Sequence, residues 1–87
     1  MDVTTFDVVT LILIDQLDIA EQDITLDATL RGDLRADSLS LIDLAVALER
    51  EFSIPIPDDF FGRVRTVRDA VEYIEERSER QRALLAN

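Results

Sequence analysis

The stretch that decides the fold is Ser38-Leu39-Ser40-Leu41-Ile42-Asp43-Leu44-Ala45-Val46-Ala47-Leu48-Glu49-Arg50-Glu51-Phe52. Leu41, Leu44, Ala45, Leu48 and Phe52 recur at offsets of three, four, seven and eleven. That spacing stacks side chains on one side of an α-helix. Leu39, Ile42 and Val46 make a second apolar line, at offsets of three and seven. A helix on the surface of a small bundle needs one such stripe for its core, so the second is left to face solvent or a partner. Asp43, Glu49 and Arg50 border it. The pattern predicts a helix from about Ser38 to Phe52. Ser38 is its N-cap or lies in its first turn, and Asp37 adds negative charge where the helix dipole favours it.

Outward from this segment the chain reads as further helices and loops. A first helix is predicted from Thr4 to Leu17, on the stripe Phe6, Val9, Leu13 and Leu17 with Ile12 on its flank. Thr4 or Thr5 caps it, and Asp7 falls in its first turn. Val8, Leu11 and Ile14 lie off the stripe and predict a second contact face, for a partner enzyme or for self-association of an otherwise monomeric protein. The connector from Asp18 to Asp37 is long, and Ile24, Leu26, Leu30 and Leu34 recur within it. Such loops are functional or packed down by their own apolar side chains. These four are expected to plug into the bundle, with Gly32 supplying a turn.

Pro55 and Pro57 bracket Ile56 and predict an extended crossing. Asp58 or Asp59 then starts a short third helix with Phe60, Phe61 and Val64. Thr66, with Asp69 three residues on, resembles a capping box for a last helix bearing Val67, Ala70, Val71 and Ile74. Glu75 to Asn87 is expected to be an exposed, charged tail that frays at its end. The expected architecture is all-α: one domain over residues 1–87, a four-helix bundle with a long first connector and a short third helix.

Composition sets the function classes. Eighty-seven residues, 47% of them hydrophobic, suffice for one small core. Two glycines and two prolines leave little room for a turn-rich β domain. There is no cysteine, so neither a disulfide framework nor a thiolate metal site can form. The longest apolar segment, Val8 to Ile14, is broken by Thr10 and is too short to cross a bilayer. No basic region precedes an apolar one at the N-terminus, and a cytoplasmic, free-standing protein is expected. Residues 1–30 hold seven acids and no base, residues 31–60 seven acids and three arginines, and residues 61–87 five acids and six arginines. The net charge of −10 therefore belongs to the first two thirds. Such a field repels nucleic acid and anionic lipid and favours basic protein patches.

The residue patterns that would carry chemistry are incomplete. Asp27 to Ser38 has Gly32 at the sixth position of a calcium loop, but Arg31 stands where an oxygen ligand is required and Ser38 where a bidentate glutamate is. No metal site is expected. A serine nucleophile needs a base, and the chain has no histidine and no lysine, all nine of its bases being arginine. No catalytic residue is expected. A hydroxyl displayed at a helix start without an activating base is suited instead to being modified by another enzyme.

Several segments together resemble the acyl carrier protein family. They are Asp37-Ser38-Leu39, Asp43-Leu44, Ala47-Leu48-Glu49-Arg50-Glu51-Phe52, Ile56-Pro57-Asp58, Thr66-Val67 and Ala70-Val71-Glu72-Tyr73-Ile74. Weaker similarity runs through Gln16-Leu17 and Thr25-Leu26-Asp27-Ala28. The resemblance implies that a phosphopantetheinyl transferase attaches 4′-phosphopantetheine from coenzyme A to Ser38. The thiol of that arm then carries acyl groups as thioesters. It further implies that Asp37, Leu39, Ile42, Asp43, Val46, Glu49 and Arg50 dock partners such as an acyltransferase, a ketosynthase or an acyl or aminoacyl ligase. The interior between the second and third helices would shelter the acyl chain. Arg35 stands where the family often has glycine, Ser40 where an acid commonly follows Ser-Leu, and Arg50 interrupts an acidic run. These departures favour a carrier dedicated to one polyketide or other specialised pathway over general fatty acid synthesis. A peptidyl or aminoacyl carrier is the runner-up, although glycine-rich residues do not precede the serine. An unmodified acidic helical adaptor is the alternative from another class.

Overall fold

In a computed structural model, which describes residues 4–57 and 59–85, the chain forms four helices and no strand among those residues. They are α1 (Thr5–Leu17), α2 (Ser38–Phe52), α3 (Phe60–Arg63) and α4 (Val67–Leu85), with a single 3-10 turn at Glu21–Asp23. The expected all-α architecture, with its long first connector and short third helix, is the one observed. Asp58 and Asn87, named above for a helix start and a tail end, lie outside the described residues.

Local chemistry sets the helix ends. Thr4 is the cap of α1: its Oγ1 accepts from the Asp7 amide at 3.1 Å, and Asp7 Oδ2 accepts from the Thr4 amide at 3.1 Å. The α1 chain ends at Asp18, in the left-handed region at φ 53°, with its N–H donated to the Ile14 carbonyl. α4 has the predicted box as well. Asp69 N–H donates to Thr66 Oγ1 at 3.1 Å, and Asp69 Oδ2 accepts from the Thr66 and Arg65 amides at 3.2 and 3.1 Å.

The core gathers Val9 and Leu13 of α1, Leu41, Leu44 and Leu48 of α2, Phe60 of α3, and Val67, Ala70, Val71 and Ile74 of α4. Phe60 meets Phe61 and Tyr73 edge to face, with ring centroids 4.8 and 5.0 Å apart. Burial of this apolar surface, at about 25 cal/mol per Å², holds the bundle together. One expectation for α1 changes here. Ile14 packs against the core instead of pointing away, and the buried face includes Thr10, whose Oγ1 finds no hydrogen-bond partner among the described residues. The α1 helix is apolar nearly all round, so its sequence does not single out one buried line. Leu11 is exposed (65%), and Val8 is half-buried.

The connector is packed down as expected, through Ile24, Leu30 and Leu34, joined by Ala28 and Ala36. Leu26 is the exception. It stays half-buried, and its backbone does the work. The Leu26 and Ala28 carbonyls accept the Arg68 and Val67 amides at 2.8 and 3.0 Å, and the Leu30 amide donates to the Arg65 carbonyl at 2.9 Å. First-turn amides of α4 that no intrahelical carbonyl can reach are satisfied this way. The chain thereby pins the connector beside the α3–α4 junction.

Gly32 lies in a turn, but no glycine has positive φ. What it supplies is space: a Cβ there would lie 2.6 Å from Thr29 Oγ1. That oxygen accepts the Asp33 amide at 2.9 Å while Asp33 Oδ2 accepts the Thr29 amide at 2.9 Å. The left-handed residue of this loop is Arg35, at φ 57°. No helix among the described residues is long and apolar enough to cross a membrane.

Candidate functional site

The site forms around the start of α2. Asp37, not Ser38, is the cap: its Oδ1 accepts the Ser40 amide at 2.8 Å, and its carbonyl accepts the Leu41 amide at 2.9 Å. Hydrogen bonds to the carboxylate, from the Ser40 amide first and then the Ser40 hydroxyl, hold the Asp37 carboxyl below its ordinary value of 3.8. Ser38 is the first helical residue, exposed, and its hydroxyl enters no hydrogen bond among the described residues. The local backbone thus has its cap without using the Ser38 oxygen. A helix start also favours an anion on that oxygen.

Ser38 lines a cleft of about 760 Å³ between α2 and the α3 region. Leu41, Ile42, Ala45 and Val46 form the α2 side. Ile56 and Pro57 from the crossing, with Phe61, Gly62 and Val64 from α3 and its end, form the other. The connector contributes Thr29, Leu30 and Arg31, and the α3–α4 junction contributes Arg65. The cleft lies between the second and third helices, where the resemblance implies a shelter for the acyl chain. The sequence pattern did not foresee that the connector would wall it, because the contacts that place the connector there run through backbone atoms.

The surplus stripe of α2 is exposed: Leu39 is 72% accessible, Ile42 60% and Val46 44%. Two of its members, Ile42 and Val46, also form the lip of the cleft, whereas Leu39 stands outside it. The exposed stripe, expected from the resemblance to dock partners, and the cleft wall therefore share residues. Asp43 and Arg50 are exposed beyond the lip. Glu49 differs from a free docking acid, because its Oε1 accepts the Ile56 amide at 2.8 Å and braces the crossing after α2. Among the described residues no cluster of three or more acids could hold a metal ion.

The chain matches the family model for the phosphopantetheine attachment site over residues 7–74, from α1 to Ile74 of α4. It belongs to the phosphopantetheine-binding carrier proteins. Members of the family are not catalysts. They carry acyl or peptidyl groups on a covalently bound 4′-phosphopantetheine, are modified by a phosphopantetheinyl transferase and serve biosynthetic enzymes. Membership sets aside the adaptor without a prosthetic group. The structure fits the arm: an exposed hydroxyl unused by its own backbone stands beside a cleft lined largely by hydrocarbon.

Proposed function

We propose that this carrier protein holds acyl intermediates, with its arm on Ser38, for one dedicated polyketide, fatty-acid-like or other specialised pathway. The observation that carries the reading is the position of Ser38, exposed at the first turn of α2 and on the rim of the apolar cleft. In the attachment step the Ser38 oxygen forms a bond to a phosphorus of the coenzyme A pyrophosphate. The phosphorus–oxygen bond to the nucleotide half breaks, and the hydroxyl proton passes to a base of the transferase, since this chain has no histidine or lysine to take it. The arm supplies the thiol on which cargo rides as a thioester. Leu41, Ala45, Ile56 and Phe61 exclude water from the part of the cargo that enters the cleft. Leu39, Ile42 and Val46 receive partner enzymes, with Asp37, Asp43 and Arg50 at the border. The cleft favours acyl over aminoacyl cargo, because a charged amino group would lose hydration there and the one lining carboxylate, Glu49, is already engaged by the Ile56 amide.

Incubation with coenzyme A and a broad-specificity transferase, followed by intact mass measurement, tests the assignment. One phosphopantetheine increment is expected, absent from Ser38→Ala. Loading with acyl and aminoacyl donors then separates the carrier types. Preferential aminoacylation by a ligase that ignores acyl donors would remove the acyl assignment.

A further inference from the structure

Two arginines are among the residues lining a cleft that otherwise suits hydrocarbon. Arg31 comes from the connector and Arg65 from the α3–α4 junction. The Leu30 amide bond to the Arg65 carbonyl, 2.9 Å, places these two segments side by side. Neither guanidinium joins an ion pair among the described residues, whereas Arg63, Arg68 and Arg80 each do. The cleft's one carboxylate, Glu49, already accepts the Ile56 amide. The lining is thus net positive in a chain of net charge −10 that has no base before Arg31.

A wholly hydrocarbon cargo gives these groups nothing to bind. A carboxylate does: guanidinium matches its geometry with paired, charge-assisted hydrogen bonds. An apolar cleft without such partners would reject the charge. We propose that the cleft takes an acyl chain bearing a carboxylate at or near its free end, received by Arg31 and Arg65, with Leu41, Ala45 and Phe61 covering the methylenes between. The proposal rests on the reading of Ser38 as the tether and of the cleft as the shelter. Anionic oxygens also come from the phosphodiester at Ser38 itself, so the experiment separates the two sources.

The full chain is loaded by transferase from two coenzyme A thioesters. One carries adipoyl, the other a branched acyl group whose terminal isopropyl copies the shape of the carboxylate without its charge. The lifetime of each thioester is divided by that of the same thioester on free pantetheine, and the amide resonances of residues 31 and 65 are followed. The adipoyl form should show the larger protection, by roughly threefold to tenfold, with shifts at both arginines. Arg31→Gln with Arg65→Gln should abolish that preference while keeping the helical circular dichroism and the protection of the isopropyl chain. Equal or greater protection of the isopropyl chain in the unaltered protein overturns the proposal and leaves the shelter standing. Protection of neither cargo overturns the shelter as well. A double variant that moves the phosphorus resonance of the cargo-free arm but leaves the cargo preference intact assigns the arginines to the phosphodiester and also overturns the proposal.

Discussion

Arg35 shows how one residue can carry a cost that its neighbours absorb. Its φ of 57° is a left-handed conformation, which costs a residue with a Cβ about 1–2 kcal/mol. Glycine avoids that cost but loses about 0.5–1 kcal/mol through the greater entropy of the unfolded chain. Arg35→Gly should therefore stabilise the fold by about 0.5–1 kcal/mol, read as a higher urea midpoint with an unchanged slope. The sequence marked this position as one where related carriers often have glycine, and the backbone supplies the reason. Asp69 shows the opposite case. The Arg65 and Thr66 amides that it accepts hold its carboxyl below the ordinary value of 3.8. A lowered folded value means that its contribution is complete above about 3.8 and is lost as the pH falls through the folded value. Asp69→Asn keeps a capping oxygen without the charge. It should lose less stability than the unaltered protein across that acid window when unfolding is followed by circular dichroism.

Among the elements, α2 carries two apolar lines, one buried and one exposed. Leu44 is fully buried, and Leu44→Ala should cost about 2–5 kcal/mol. Leu39 and Ile42 are exposed. Leu39→Gln and Ile42→Gln should leave stability within about 0.5 kcal/mol while lowering kcat/KM of the transferase for this carrier. A loss of stability in the second pair with unchanged transferase kinetics would show that the stripe belongs to the core. This division was legible because helical periodicity separates the two lines by angle. The connector was less legible. Its apolar side chains were visible in the sequence, but Leu26 works through its carbonyl, and side-chain patterns carry no record of backbone pairing. Gly32 was visible as a turn residue, yet its role is the close approach of Thr29 Oγ1, which depends on the clasp with Asp33. In α1, apolar residues on almost every side left the position of Ile14 and Thr10 undetermined until the bundle chose a face.

At the scale of the whole molecule, nineteen acids against nine arginines make compactness electrostatically unfavourable. The three ion pairs among the described residues are exposed, and such pairs contribute about 0–1 kcal/mol each. Screening should therefore relieve more repulsion than attraction, and the melting temperature should rise as salt increases from low to moderate ionic strength. A flat or falling curve would contradict this balance. The same imbalance makes the cleft's net positive lining a local exception, which neither the composition nor the periodicity of the sequence disclosed, because Arg31 and Arg65 are far apart in the chain and meet only through the fold. The central claim is the tether at the start of α2. It is tested most directly by fragmenting the modified protein in a mass spectrometer and locating the arm among its serines. Ser38, with its unused exposed hydroxyl, should carry all of it. An arm found on Ser40, Ser53 or Ser78, or a protein that stays unmodified by competent transferases, would contradict the account.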